Sequence, residues 1–113
     1  MFDLSVEKIG DIAVVHCLGR IVRSEAAFRL HDIVTGHRSA RVVVIDLSNV
    51  GALEGGGLGM LCFLQMWTRR QGIQFKVFGP GVRVRQSLER ACSAIKAEVA
   101  GQGEMRALLA SFV

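Results

Sequence analysis

The spacing of apolar residues changes several times along the chain, and each change marks an element. Leu4 to Ile9 alternates apolar with polar positions, which predicts a half-buried strand, and Gly10-Asp11 is a hairpin-type turn into a second strand from Ile12 to Leu18. Ser24-Glu25 caps a helix from about Glu25 to Gly36, with Ala27, Leu30, Ile33 and Val34 on one face. Arg41 to Leu47 is the most continuously apolar strand and is expected at the centre of the sheet. A second helix is expected from Gly57 to Gln71, ended by Gly72, then a fourth strand from Ile73 to Phe78 closed by Gly79-Pro80-Gly81. Val82 to Cys92 reads as a third helix with Val84, Leu88 and Ala91 inward. Glu98-Val99 is a candidate short strand, and Gly103-Glu104 starts a terminal helix to about Phe112. Strands alternating with helices after an opening hairpin predict an α/β fold: one mixed sheet of four to five strands, its later strands parallel, with about four helices.

Composition narrows the class. The chain of 113 residues is read as one domain, 1–113, with material for a single core. Half of it is hydrophobic and 21% is charged, a globular balance. No apolar run approaches the roughly 20 residues of a membrane span, so no direct membrane insertion is expected. No basic segment followed by an apolar one opens the sequence, and a cytoplasmic location follows as the expectation. Cys17, Cys62 and Cys92 have neither CxxC nor zinc spacing, and the expectation is reduced thiols in apolar surroundings, with no metal. The net charge of +4 permits an acidic partner, but no basic stripe with interleaved aromatics points to nucleic acid.

The segment most informative about function is Arg41 to Leu61. A β-branched strand ends at Asp46-Leu47-Ser48, a short loop follows, and Glu54-Gly55-Gly56-Gly57-Leu58-Gly59 leads into an apolar helix. In open α/β sheets, strand ends and helix amides converge at such points and ligands or partners dock there. The glycines fit neither GxGxxG nor a P-loop, because the required downstream glycine and Gly-Lys-Ser/Thr are missing. They are read as a turn that permits close backbone contact, with anion or nucleotide binding at the helix start as the alternative. No cofactor is expected.

Together Asp46-Leu47-Ser48, Gly57-Leu58-Gly59, Gly19, and Gly79-Pro80-Gly81-Val82-Arg83-Val84 resemble, in order, the motifs of the STAS domains, the sulphate transporter and anti-sigma factor antagonist family. The resemblance covers most of the chain and implies a STAS-like fold, with Gly19 turning from the second strand toward the first helix. It also implies a non-catalytic interaction module whose partner is an anti-sigma factor or switch-kinase-like protein. In antagonists of this family a serine of an Asp-Ser-Ser-Gly motif is phosphorylated, which adds nearly two negative charges at a helix start. Here those positions read Glu54-Gly55-Gly56-Gly57, with Gly56 at the motif serine, and Val22 stands where members usually carry an aspartate. The loops have lost an acid and two hydroxyls and gained Arg20 and Arg23, so no phosphorylation is expected at this loop. Ser48 is read as bonding loop amides, not as a phosphorylation site.

The helix that follows is apolar nearly all round. Leu58, Leu61, Leu64 and Thr68 suit the inward stripe, which leaves Met60, Phe63 and Trp67 on another face, either open to a partner or a second copy of the chain or buried by neighbouring helices within a monomer. The expected partner-binding set is therefore Arg20, Arg23, Glu54, Gly55, Gly56, Gly57, Met60, Phe63 and Trp67. His16, His31 and His37 are scattered, and no nucleophile elbow supports a Ser-His-Asp or Cys-His site, so the chain is read as non-enzymatic. His16 and Cys17 are adjacent in a strand and point to opposite faces. The family also contains small structural subunits of ABC-type lipid transport systems and of larger signalling assemblies, which do not depend on the serine. That is the second expectation.

Overall fold

The computed structural model describes residues 2–92 and 95–110. Strand β1 (Phe2–Ile9) pairs antiparallel with β2 (Ile12–Ile21), followed by α1 (Ser24–Thr35), β3 (Val42–Leu53), α2 (Gly55–Arg70), β4 (Gln74–Phe78), α3 (Val82–Ala91), a 3₁₀ turn (Ile95–Glu98), β5 (Val99–Ala100) and α4 (Gln102–Ala110). The five strands lie side by side in chain order, and every pair after the hairpin is parallel. This is the expected mixed sheet with β3 at its centre. The terminal helix begins as expected, while Phe112 lies outside the described residues.

The alternation of side chains builds two cores. Ala13, Val15 and Cys17 of β2, Val43, Ile45 and Leu47 of β3, and Phe75 and Val77 of β4 face one way, toward Leu30 and Val34 of α1, Leu61 and Leu64 of α2, and Val84 and Leu88 of α3. Ile12, Val14, Val42 and Val44 face the other way, toward Met105 of α4. The stripe on α3 is narrower than expected: Ala91 is exposed and the buried Cys92 takes its place.

Two boundaries differ from expectation. The expected loop after Ser48 is strand. Asn49, Val50, Ala52 and Leu53 pair with Leu18, Gly19, Arg20 and Ile21, so β2 and β3 extend each other. Asn49 and Gly51 are weak strand formers, and the parallel ladder overrides them. Gly19 does not turn the chain toward α1. It sits inside β2 with φ of 102°, beside a register shift, where a β-bulge suits glycine.

The expectation of three reduced thiols is also corrected. Cys62 on α2 and Cys92 at the end of α3 form a disulfide, with their Cα atoms 5.6 Å apart. The helices bring together residues 30 apart in sequence, a separation from which no pairing can be read. Cys17 remains a buried free thiol, and burial, with a smaller contribution from Asp46, pushes its pKa up to about 12.

Candidate functional site

The start of α2 is placed by β2. The Glu54 amide donates to the carbonyl of Ile21 at 3.2 Å, and the Glu54 carbonyl accepts from Gly57 and Leu58 to open the helix. Gly57 is buried against the end of β2, and a methyl group there would overlap the Ile21 carbonyl oxygen and lie 2.5 Å from Ile21 Cγ2. It is a packing glycine, out of a partner's reach, although it belonged to the expected contact set. Gly55 has φ of 54°, which glycine adopts without strain. Gly56 is exposed, and a Cβ there would come no nearer than 3.9 Å to the chain around Val22 and Ser24. A side chain therefore fits at the motif serine position. Glu54 is the exposed N-cap residue but makes no side-chain capping bond.

The exposed stripe of α2 is rotated from the expected one. Met60 and Trp67 are half-buried against the larger core, whereas Phe63 and Met66 are 46% and 56% exposed. Gln65 is buried with Leu61, Leu64 and Thr68, and this widening of the inward face turns Met66 out. Thr68 satisfies its hydroxyl within the helix by donating to the carbonyls of Leu64 and Gln65 at 2.8 and 3.0 Å. The His31 ring of α1 lies 6.0 Å from that of Phe63, and Phe28, one turn before His31, is 63% exposed. Phe28, Phe63 and Met66 thus give adjoining helices an apolar surface. Arg69 and Arg70 continue α2 beyond it, and both are exposed.

Arg20 lies on β2 and Arg23 is the N-cap residue of α1. They line a concavity of about 620 Å³ with Phe2, Val22, Glu25, Ala26 and Arg29. Arg29 donates to the Phe2 carbonyl at 3.3 Å, lies 3.8 Å from Asp3, and places its guanidinium 5.6 Å from the centre of the Phe2 ring.

A polar network unforeseen in the sequence lies on the opposite face of the sheet. Parallel register sets His16 beside Asp46, and the hairpin brings Glu7 alongside. Nδ1–H of His16 donates to Asp46 Oδ2 at 2.8 Å, and Nε2–H to Glu7 Oε1 at 3.1 Å. Both ring nitrogens meet carboxylates, so the imidazolium is favoured and the His16 pKa is raised, mostly by the Asp46 bond and then by Glu7. The amide and hydroxyl of Ser48 both donate to Asp46 Oδ1, at 3.0 and 2.6 Å. Burial pushes the Asp46 pKa up, but the bonds from Ser48 and His16 outweigh it and the net shift is downward. Ser48 and His16 reach different oxygens of Asp46, so the imidazole does not contact the hydroxyl as a base would contact its nucleophile. The signal for this cluster was the single polar residue in each of two apolar runs, His16 within Ile12 to Leu18 and Asp46 within Val42 to Leu47, and only the register joins them.

Among the described residues no group of three or more His, Cys, Asp or Glu side chains could hold a metal ion, and no helix is long and apolar enough to cross a membrane.

The sheet order, the hairpin and the glycine-opened helix α2 define a STAS-type α/β domain. The STAS domain family model matches residues 3–93, and the chain belongs to that family. Its fold is similar to that of the anti-sigma factor antagonist SpoIIAA in its unphosphorylated form, with a TM-score of 0.79 and 11% identity over 98% of this chain and 99% of that one. An anti-sigma factor antagonist from Mycobacterium paratuberculosis superposes with a TM-score of 0.78 and 21% identity, covering 99% and 94% of the two chains. A sulfate transporter family protein from Wolinella succinogenes gives 0.74 and 17%, covering 90% and 87%. No curated protein matches the sequence.

Proposed function

We propose that this STAS domain is a non-catalytic docking module of the anti-sigma-factor-antagonist kind. It would meet its partner through the exposed side of α2 and the neighbouring face of α1. The observation that carries this reading is the paired exposure of Phe63 and Met66 on a helix whose other large apolar residues are buried or half-buried, with Phe28 exposed on the adjoining α1. An apolar centre with Arg69 and Arg70 at its edge suits a partner surface that is apolar with an acidic rim. The partner class is an anti-sigma factor or a switch-kinase-like ATPase, and the compartment is the cytoplasm. Glu54 to Gly57 carry no hydroxyl, so the docking surface works without serine phosphorylation at this loop.

The test is co-purification of tagged protein with its host's proteins, wild type against Phe63→Glu and Met66→Glu. The expected result is an anti-sigma factor or ATPase bound by the wild type and lost from both variants, with far-UV circular dichroism unchanged. Undiminished binding by both variants would remove α2 from the interface. A stable complex with transporter subunits would favour the structural-subunit reading, which draws its support from the likeness to the Wolinella succinogenes protein.

A further inference from the structure

Helix α3 has a narrow hold on the core. Val84 and Leu88 are its buried residues, and the buried Cys92 at its end completes the stripe. The bond from Cys92 to Cys62 is a further anchor, and it ties α3 to the helix that carries Phe63 and Met66. The three cysteines differ in their access to solvent. Cys17 is buried as a free thiol with its pKa pushed up to about 12, and Cys92 is 5% exposed. Cys62 is half-buried; it directly precedes Phe63 and lies one helical turn before Met66, both of them exposed. The bond therefore joins a shielded residue to a more accessible one. In such a pair an incoming thiol or disulfide reacts at the accessible sulfur, and the shielded sulfur reacts only within the protein.

We infer that Cys62 and Cys92 form a reversible thiol–disulfide exchange site for small-molecule disulfides of the glutathione class, with Cys62 carrying the mixed disulfide, and that the bond sets how firmly α3 is held on α2. Oxidation begins when the Cys62 thiolate attacks the small disulfide, forms one S–S bond and expels one small thiolate. The Cys92 thiolate then attacks the Cys62 sulfur, closes the internal bond and expels the second small thiolate. The two cysteines give up two electrons and two protons, and the small disulfide takes up both as two thiols. Reduction follows the same path in reverse. The Cα separation of 5.6 Å lies in the ordinary disulfide range, so the bond closes with the helices packed as they are. Two thiols cannot stay at bonding distance, so reduction parts the sulfurs, and α3 is left with Val84 and Leu88 to hold it. In a reducing compartment a disulfide is usually transient or redox-sensing, which is the behaviour such a pair supplies. Control of docking through α2 follows from this and rests on the docking reading; the exchange chemistry does not.

The test uses the purified full chain, equilibrated without oxygen in mixtures of reduced and oxidised glutathione, then quenched, alkylated and mapped by mass spectrometry. Cys62 and Cys92 are expected to lose their thiols together as the oxidised share rises and to regain them as it falls, while Cys17 stays a thiol throughout. Cys92→Ala is expected to stop at a glutathione adduct on Cys62, whereas Cys62→Ala takes up little on Cys92 in the same time. Amide hydrogen exchange in α3 is expected to be faster in the reduced wild type than in the oxidised one, and emission from Trp67, the single tryptophan, to differ between them. A bond that persists in reduced glutathione alone, or never forms in oxidised glutathione, would overturn the exchange site. An adduct that forms on Cys92 as fast as on Cys62 would overturn the assigned order, and equal hydrogen exchange in the two states would overturn the hold on α3. The wild-type titration depends on no variant folding. It involves no partner protein either, so its failure leaves the docking reading intact, and loss of that reading leaves the exchange site in place.

Discussion

His16 shows how one residue can make the sheet sensitive to pH. Its pKa is raised in the folded chain by Asp46 and Glu7, so the stability it contributes is fully present below the unfolded value near 6.5. That contribution is lost as pH rises through the raised folded value. The ring is 42% exposed, which limits the effect to a few tenths of a kcal/mol up to about 1 kcal/mol. Urea unfolding between pH 6 and 9 should show this loss in the wild type and a flatter profile in His16→Asn. Asp46 acts in the opposite sense: its pKa is lowered, so its contribution is present above about 3.8 and fades as pH falls through the folded value. Neighbouring glycines separate packing from exposure in the same residue-by-residue way. Gly57→Ala should cost about 1–3 kcal/mol or more by overpacking against Ile21, whereas Gly56→Ser should fold with wild-type stability or slightly above. Equal melting temperatures for the wild type and Gly57→Ala would show that β2 and α2 can separate more readily than the packing implies.

Among the elements, α2 carries most of the function proposed here, and its two apolar sides respond differently to substitution. Charge at Phe63 or Met66 should affect binding alone. Trp67→Glu should lower stability by a few kcal/mol, because Trp67 packs on the core. The Cys62–Cys92 bond clasps α2 to α3. A link closing a loop of this length contributes about 3–4 kcal/mol by the chain-entropy account. Dithiothreitol should therefore lower the denaturation midpoint of the wild type and leave Cys62→Ala unchanged. Identical midpoints with and without reductant would show that the clasp adds nothing. The bond bears on localisation too, since a reducing cytoplasm keeps such pairs as dithiols. Protein quenched directly from a cytoplasm should therefore show three free thiols and form the bond on oxidation, whereas a single free thiol, Cys17, would count against the proposed compartment.

Across the whole molecule, the sheet is covered unequally. Among the described residues three helices bury one face, while α4 covers part of the other, held by Met105 over Val14 and Val44 and by Lys76 at 3.7 Å from Glu104. The uncovered part carries His16, Asp46 and Ser48, with Leu18 48% exposed. Met105→Ala should cost about 2–5 kcal/mol, toward the lower end because the helix is short and can settle. A thermal melt of that variant matching the wild type would show that α4 adds little to the stability of the sheet.

Most elements were legible from local pattern. The Ile12 and Val42 runs, the Leu30–Val34 stripe and the Gly79-Pro80-Gly81 breaker each act within one turn or one strand, and neighbouring residues suffice to define them. The motif order around Asp46, Gly57 and Pro80 carried the family as well. Other features needed the fold because they join distant positions. The extension of β3 to Leu53 depends on the β2 ladder, and the burial of Gly57 on Ile21. The outward turn of Met66 depends on burial of Gln65, and the His16–Asp46 and Cys62–Cys92 pairings depend on strand register and helix packing. A chain records its own periodicity, but which faces meet is decided only when separate elements compete to exclude water from one core.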